Sequence, residues 1–178
     1  MTEWVSASRE DRRLLNEFVC QPELPPVAVV KKWRRPESAP WLKTVEGMVR
    51  DLRPPLRRPD CAILAKSGNE NAIEAIFVLE LETKRVAGVG TRLALSLAAR
   101  HLGSRGAGWG DRILEEFTHE CRLVIRERGE ANALAVASVH VRNEPMRSLL
   151  NRNGWREDRG DVGQQYTQWS LAIFARTS

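Results

Sequence analysis

A glycine-rich turn, directly before the most regular amphipathic segment, constrains this chain more than any other feature. The turn runs Arg105-Gly106-Ala107-Gly108-Trp109-Gly110. Glycine lacks a Cβ atom and permits positive φ, so successive main-chain amides can converge on an anion. The helix predicted to follow adds its unpaired N–H groups and the positive end of its dipole. The sequence therefore predicts a phosphate- or diphosphate-binding turn at residues 105–110.

Neither common nucleotide-binding motif fits this turn. A P-loop has Lys and then Ser or Thr after its glycines, whereas Trp109-Gly110 follows Gly108. The dinucleotide fingerprint is GxGxxG, with an acidic residue at the end of the next strand. Here the spacing is GxGxG and the next predicted strand ends in Val139-His140. A tight strand-to-helix connection without a ligand is the alternative that the residues leave open.

The rest of the chain reads as alternating strands and helices of a mixed α/β fold. Apolar periodicity and turn residues predict helices over 8–19, 41–52, 110–128 and 144–153, and strands over 4–7, 61–65, 72–82, 86–100, 133–139 and 165–174. Alternation in the fourth strand places Leu93, Leu95 and Leu97 together, and residues 83–85 are predicted to form a hairpin turn before it. The proline-rich stretch 22–40 is expected to be a long surface loop within a single domain spanning 1–178, since neither flank could bury a core alone.

Composition excludes several classes of protein. Three widely spaced cysteines without CxxC, and three histidines in total, argue against a disulfide framework or a metal centre. No apolar run is long enough to cross a bilayer, and the charged N-terminus lacks the apolar core of a signal peptide. We therefore expect a cytoplasmic protein with no membrane partner and no bound metal. The net charge is +5, with basic clusters at 31–35 and 50–58 that a polyanion could contact.

Two spaced motifs resemble the GNAT superfamily of N-acetyltransferases. Arg105, Gly108 and Gly110 form Arg-x-x-Gly-x-Gly, which is similar to the acyl-CoA diphosphate signature of that family. The run from Asn143 to Gly154-Trp155 is similar to the family's Asn-x-x-Ala-x-x-Leu-Tyr-x-x-x-Gly-Phe motif. The order of elements supports the resemblance over residues 4–174. It implies a single-domain, GNAT-like mixed sheet flanked by helices, with acetyl-CoA held at the turn between strand and helix.

The resemblance also implies roles for individual residues. Arg105 and the amides of Gly106, Ala107, Gly108, Trp109 and Gly110 would hold the diphosphate of CoA. The backbone of the preceding strand would pair with the pantetheine arm through Ala98, Ala99 and Arg100. Asn143 would lie near the thiol end of the cofactor. The acceptor would enter from the opposite side, over the 22–40 loop and the second helix.

The catalytic residues depart from the family's usual pattern. Leu150 stands where the family often has a tyrosine acid, and the strand predicted over 86–100 contains no Asp or Glu. Tyr166, the one tyrosine, could donate a proton from another direction or simply pack. Histidine titrates near neutrality, which makes His140 a candidate general base, or else a hydrogen-bonded side chain beside a loop. Glu80 and Glu82 are further base candidates, or solvated charges.

These observations predict an N-acyltransferase in which a neutral amine attacks the thioester of acetyl-CoA directly. The cysteines are interpreted as inert, because none has a base beside it in sequence. The acceptor is expected to be a small molecule, a protein N-terminus or an aminoacyl group, and the sequence leaves a homodimer open. Two alternatives remain, a non-catalytic basic module that binds RNA or another polyanion and an acetyltransferase that acts on aminoacyl-tRNA. Nucleic acid is the less favoured partner.

Overall fold

Seven strands form one sheet, and helices lie on both of its faces. The computed structural model describes residues 2–20, 40–56, 59–68, 72–82, 90–104, 108–158 and 165–175. The strands are β1 (Thr2–Ser6), β2 (Cys61–Ser67), β3 (Ile73–Glu82), β4 (Thr91–Arg100), β5 (Asn132–His140), β6 (Arg156–Asp158) and β7 (Tyr166–Phe174). Their order is β1-β2-β3-β4-β5-β7-β6, and every neighbouring pair is antiparallel except β4 and β5. The predicted mixed α/β class is confirmed.

Four helices belong to the described part of the chain: α1 (Arg12–Asn16), α2 (Pro40–Asp51), α3 (Trp109–Glu127) and α4 (Glu144–Arg152). α3 buries the stripe that its periodicity predicted and packs on one face of the sheet, with Ile113, Leu114, Phe117, Cys121, Val124 and Ile125. Leu15, Phe18 and Val49 cover the other face. No helix among the residues described has the length and apolar character needed to span a bilayer.

The first helix is shorter than the sequence predicted. A 3₁₀ turn at Arg9–Asp11 precedes α1, which ends at Asn16 instead of near residue 19. The turn begins at Ser8, whose backbone N–H donates to Asp11 Oδ2 at 2.8 Å and whose hydroxyl donates to the same oxygen at 3.0 Å. This capping box satisfies two polar groups at the helix start, so the chain turns tightly before α1 begins.

A β-bulge in β4 overturns the prediction that Leu93, Leu95 and Leu97 share a face. Val78 of β3 pairs with Leu97, and the next residue, Leu79, pairs with Leu95, so Ser96 is the extra residue. Leu93 and Leu95 lie in the α3 core, whereas Leu97 lies in the core beneath α1 and α2. An inserted residue reverses the side-chain alternation beyond it. Apolar periodicity cannot reveal this, because leucine suits either face.

Strands β4 and β5 pair over their first halves only. Thr91–Leu95 pair with Ala133–Ala137, after which β4 continues beside β3 alone and β5 beside β7 alone. The bulge at Ser96 lies where this pairing ends, as expected because bulges bend a strand and terminate pairing. The two strands therefore part, and residues 96–100 and 138–140 face an opening in the sheet, called here the β4–β5 opening.

One strand was not predicted from the sequence, and several predicted features fall on residues that the structure does not describe. Sequence patterning missed β6, a three-residue strand whose residues are all exposed and which carries no apolar side chain. The described part of the fourth predicted strand begins at Thr91. The 22–40 loop lies outside the described residues except for Pro40, and so do the predicted hairpin turn at 83–85 and the basic residues at 31–35 and 57–58.

Candidate functional site

The N-terminus of α3 lies at the end of the sheet where β4 and β5 part. α3 connects two parallel strands, so it runs back along the sheet and begins beside the carboxyl end of β4. Gly108, its N-cap residue, has φ of 66° and ψ of 21°, a left-handed conformation that favours glycine. A Cβ atom there would meet nothing within 4 Å. No described residue accepts a hydrogen bond from the amides of Gly108, Trp109 or Gly110, so within the described part of the chain these donors are available to an anion.

The side chains in this first turn serve packing. Trp109 is buried, with its ring 5.9 Å from that of Trp4 and the Arg112 guanidinium 4.0 Å above it. A Cβ atom on Gly110 would come within 2.8 Å of Leu149 Cδ2. Close contact between α3 and α4 therefore explains this glycine without a ligand. Trp109 and Gly110 offer the site their backbone alone, and Arg105, Gly106 and Ala107 lie outside the described residues.

An ion pair fastens the start of α3 to the end of α4. Arg152 Nε lies 3.0 Å from Asp111 Oδ1, and Asn153 Nδ2 donates to the same oxygen at 2.9 Å. Asn153 Nδ2 also donates to the Leu149 carbonyl at 2.9 Å. The hydrogen bonds from Arg152 and Asn153 lower the pKa of Asp111, so a compensated carboxylate sits in the first turn beside the free amides. Sequence reasoning did not pair these residues, because they are some forty positions apart.

The edge of β4 beyond the bulge has a partner on one side only. Ala98, Ala99 and Arg100 pair with Phe77, Ile76 and Ala75 of β3. Their other edge faces the β4–β5 opening, where β5 no longer pairs. An edge of this kind presents main-chain N–H and C=O groups that an extended ligand can meet as an added strand. These are the residues that the family resemblance implies for the pantetheine arm.

Asn143, the residue predicted to lie near the cofactor's thiol, caps α4. Its side-chain oxygen accepts from the Met146 amide at 3.3 Å, and its own amide donates to the His140 carbonyl at 2.8 Å. The side-chain oxygen is thereby committed to the helix, whereas the Nδ2 group has no hydrogen bond to a described residue. Capping of α4 therefore explains the asparagine of the second motif without a cofactor.

Three aromatic rings meet at the end of β5. His140 and Tyr166 are cross-strand partners with ring centroids 5.3 Å apart, edge to face. Trp41, in the first turn of α2, lies 5.3 Å from His140 on a tilted plane. His140 Nδ1 accepts from the Arg142 amide at 3.2 Å, which places the proton of a neutral ring on Nε2. The sequence indicated that Trp41 is an apolar position of the second helix, but only the tertiary fold brings α2 to β5.

Three further positions considered for catalysis do not present a free acid or base at the β4–β5 opening. Leu150 is fully buried in the core. Glu82 forms an ion pair with Arg92, Nε to Oε2 at 2.8 Å. Glu80 is exposed and aligns with Ala94, within the paired part of β4.

Burial makes two of the cysteines poor nucleophiles. It raises the pKa of the Cys20 thiol to about 11, and the Glu46 carboxylate adds to the rise. It also raises the pKa of Cys121 far above the ordinary thiol range. Thiolate, not thiol, is the attacking form, so both residues disfavour an acyl-cysteine route.

One group of three metal-ligand side chains occurs among the residues described. Glu116, His119 and Glu120 on α3 have donor atoms within 4.8 Å of one another. His119 is exposed and the two glutamates are half-buried. Exposed helix faces often carry such residues without a metal, and the group lies more than a helical turn from the start of α3.

Solved structures with this fold include acetyltransferases of the GNAT family. One from Staphylococcus aureus has a TM-score of 0.58 at 15% identity, covering 97% of this chain and 99% of that one. AtaTR bound with AcCoA has a TM-score of 0.62 at 13% identity, covering 96% and 92%. The NatC complex bound to a Gag peptide and CoA has a TM-score of 0.54 at 12% identity, covering 97% and 98%. No family model and no curated protein matches the sequence. The chain has the GNAT fold, as its two motifs predicted.

Proposed function

We propose that this chain is an acyl-CoA-dependent N-acyltransferase that transfers an acetyl group from acetyl-CoA to a primary amine. The β4–β5 opening carries the proposal. There, an unpaired strand edge and the free amides of a helix N-terminus lie at the same end of the sheet. Two of the similar structures hold CoA or AcCoA. Bound acetyl-CoA would supply a thioester carbonyl open to attack and a thiolate able to leave.

The described residues fit such a ligand. The backbone of Ala98, Ala99 and Arg100 would pair with the amides of a pantetheine arm. The amides of Gly108, Trp109 and Gly110 would bind the diphosphate, with the open space above Gly108 allowing close approach. Arg105, Gly106 and Ala107 are proposed to complete this contact.

His140 and Tyr166 are the proposed catalytic residues. The sequence favoured His140 as a base, but the Arg142 amide occupies its Nδ1 lone pair. That hydrogen bond favours a donor role for Nε2–H instead, toward the thioester carbonyl or the leaving sulfur. The Tyr166 hydroxyl, on a side chain that is 43% exposed, is a second donor.

The residues around the opening bear on which amine reacts. Strands β4, β5 and β7 contain no Asp or Glu, so no carboxylate base lies on them. A lysine-type amine, with pKa near 10.4, needs about 4 to 5 kcal/mol to become neutral at pH 7, whereas an α-amine near 8 needs about 1.4. We therefore propose an acceptor with a weakly basic amine, such as an α-amine, which attacks the thioester carbonyl directly, without an acyl-enzyme step.

A matched pair of substitutions tests the cofactor site. Asn and Asp both tolerate the left-handed conformation of Gly108, and they differ in charge while having nearly the same shape. Gly108→Asp should weaken acetyl-CoA binding roughly tenfold or more relative to Gly108→Asn, because its carboxylate would face the diphosphate. Calorimetric titration measures both affinities, and thermal unfolding checks the two folds. Equal acetyl-CoA affinities of the two variants would show that the diphosphate does not bind at this turn. If the unaltered protein does not bind acetyl-CoA, the proposed function is refuted.

A further inference from the structure

The three rings at the end of β5 form one surface, and the proposed transfer chemistry gives a role to His140 and Tyr166 but none to Trp41. Trp41, His140 and Tyr166 come from α2, β5 and β7, and each outer ring lies 5.3 Å from the central imidazole. Tyr166 is 43% exposed, and the other two side chains are partly buried. The cluster, called here the aromatic wall, therefore keeps part of its ring surface open to a ligand.

The wall lies within reach of the reacting atoms of the proposed site. Ser138 is the first residue of β5 beyond its pairing with β4. His140 is two positions further on the same face, about 7 Å along the strand. α3 fills the opposite face of β5 with core side chains, so an acceptor has access from the side of α2. An amine at the opening would place a short attached group against the wall.

The side chains of β5 and β7 beside the wall are uncharged. Ser138 and Gln168 are cross-strand partners, and Gln168 Nε2 donates to Ser138 Oγ at 2.7 Å. Beyond Gln168, Asp158 of β6 is the next cross-strand partner, and its carboxylate accepts from the Ser170 hydroxyl at 3.3 Å. A second cation on the acceptor would therefore find no counter-charge on β5 or β7. Flat rings, by contrast, stack favourably on aromatic side chains.

We propose that the aromatic wall selects acceptors whose α-amine adjoins an aromatic side chain, that is, aromatic aminoacyl groups. This inference rests on the proposed function and narrows its substrate class. Stacking a ring on the wall contributes about 0.5 to 1.5 kcal/mol in aromatic pairs. Together with the ring's buried area, this corresponds to roughly a tenfold preference in kcat/KM over alanine.

Amino-acid amides test this selection because their α-amines have similar basicity. The panel is phenylalaninamide, cyclohexylalaninamide, alaninamide and lysinamide, assayed by CoA thiol release. We expect the phenyl compound to exceed both the cyclohexyl and alanine compounds, with lysinamide slowest. Trp41→Ala should reduce the phenylalaninamide rate roughly tenfold more than the alaninamide rate, and Trp41→Phe should restore part of the difference. Met48→Ala, two turns along the same exposed side of α2, serves as the matched control.

The outcomes of these assays distinguish a failure of the aromatic wall from a failure of the proposed transferase function. Equal rates for phenylalaninamide and alaninamide, or a Trp41→Ala loss shared by every amide, would overturn the aromatic wall while leaving the transferase intact. An absence of acetyl-CoA binding would instead overturn the transferase. If no amide turns over, calorimetry of phenylalaninamide with the protein–CoA complex decides, and no binding there also overturns the inference.

Discussion

At the scale of single residues, the environment of His140 separates two catalytic roles. Its Nδ1 accepts from the Arg142 amide, so the neutral ring has a donor at Nε2 and no free lone pair. A glutamine at this position keeps an N–H donor but cannot act as a base near neutral pH. We expect His140→Gln to retain kcat within about tenfold, whereas His140→Ala should lose about 10². Steady-state rates across a pH series measure both.

The same pH series also tests whether His140 acts as a general base instead of a donor. A general base contributes about 10² to 10⁴ in rate, so equal losses in His140→Gln and His140→Ala, with a changed pH profile in both, would make His140 the base. Acetyl-CoA affinity, measured by calorimetry, should stay the same in both variants, because the proposed diphosphate contacts come from α3.

At the scale of elements, the ion pair between Asp111 of α3 and Arg152 of α4 predicts how charge affects cofactor binding. Arg152 compensates Asp111 in the turn whose amides are free. Arg152→Gln would leave the Asp111 carboxylate without its cationic partner beside a bound diphosphate, and we expect acetyl-CoA affinity to fall roughly threefold. Adding Asp111→Asn should restore it. Calorimetry in low and high salt measures the effect, which should shrink as salt screens the charge.

If the ion pair between Asp111 and Arg152 had only a structural role, the affinity measurements would differ. If Arg152 only holds α4 in place, the double variant would stay as weak as Arg152→Gln and its unfolding temperature would fall further. Restored affinity with unchanged salt dependence would also contradict the electrostatic explanation.

Elements with one strong local pattern could be predicted from the sequence, whereas features made by tertiary contact could not. The stripe of α3 was predicted because helical spacing records its buried face. The reversal at Ser96 leaves no such record, since Leu97 is apolar on either side of the bulge. Gly110 was assigned to a ligand, yet its nearest contact is Leu149, which only the packing of α4 reveals. The contact of Trp41 with His140 was not predicted, because the two residues lie a hundred positions apart.

At the scale of the whole molecule, one buried carboxylate ties the N-terminal layer to the sheet. Asp11 is buried and forms an ion pair with Lys66 of β2. Arg12, the next residue, donates to the Arg50 carbonyl at 3.0 Å and so joins α1 to α2. Through these contacts the layer that carries Trp41 depends on the charge of Asp11.

This dependence predicts how stability responds to acid. Burial tends to raise the pKa of Asp11, but hydrogen bonds from Lys66 and Ser8 outweigh it and hold the pKa below its usual value of 3.8. The stabilisation is therefore complete above about pH 5 and is lost as the pH falls through the folded-state pKa. Asp11→Asn removes one partner of the pair and should lower the free energy of unfolding by about 3 kcal/mol at pH 7. Urea denaturation from pH 7 to pH 3 should show the difference between the two proteins constant above about pH 5 and shrinking below about pH 4, and a difference that does not shrink on acidification would mean that packing, not charge, holds the layer.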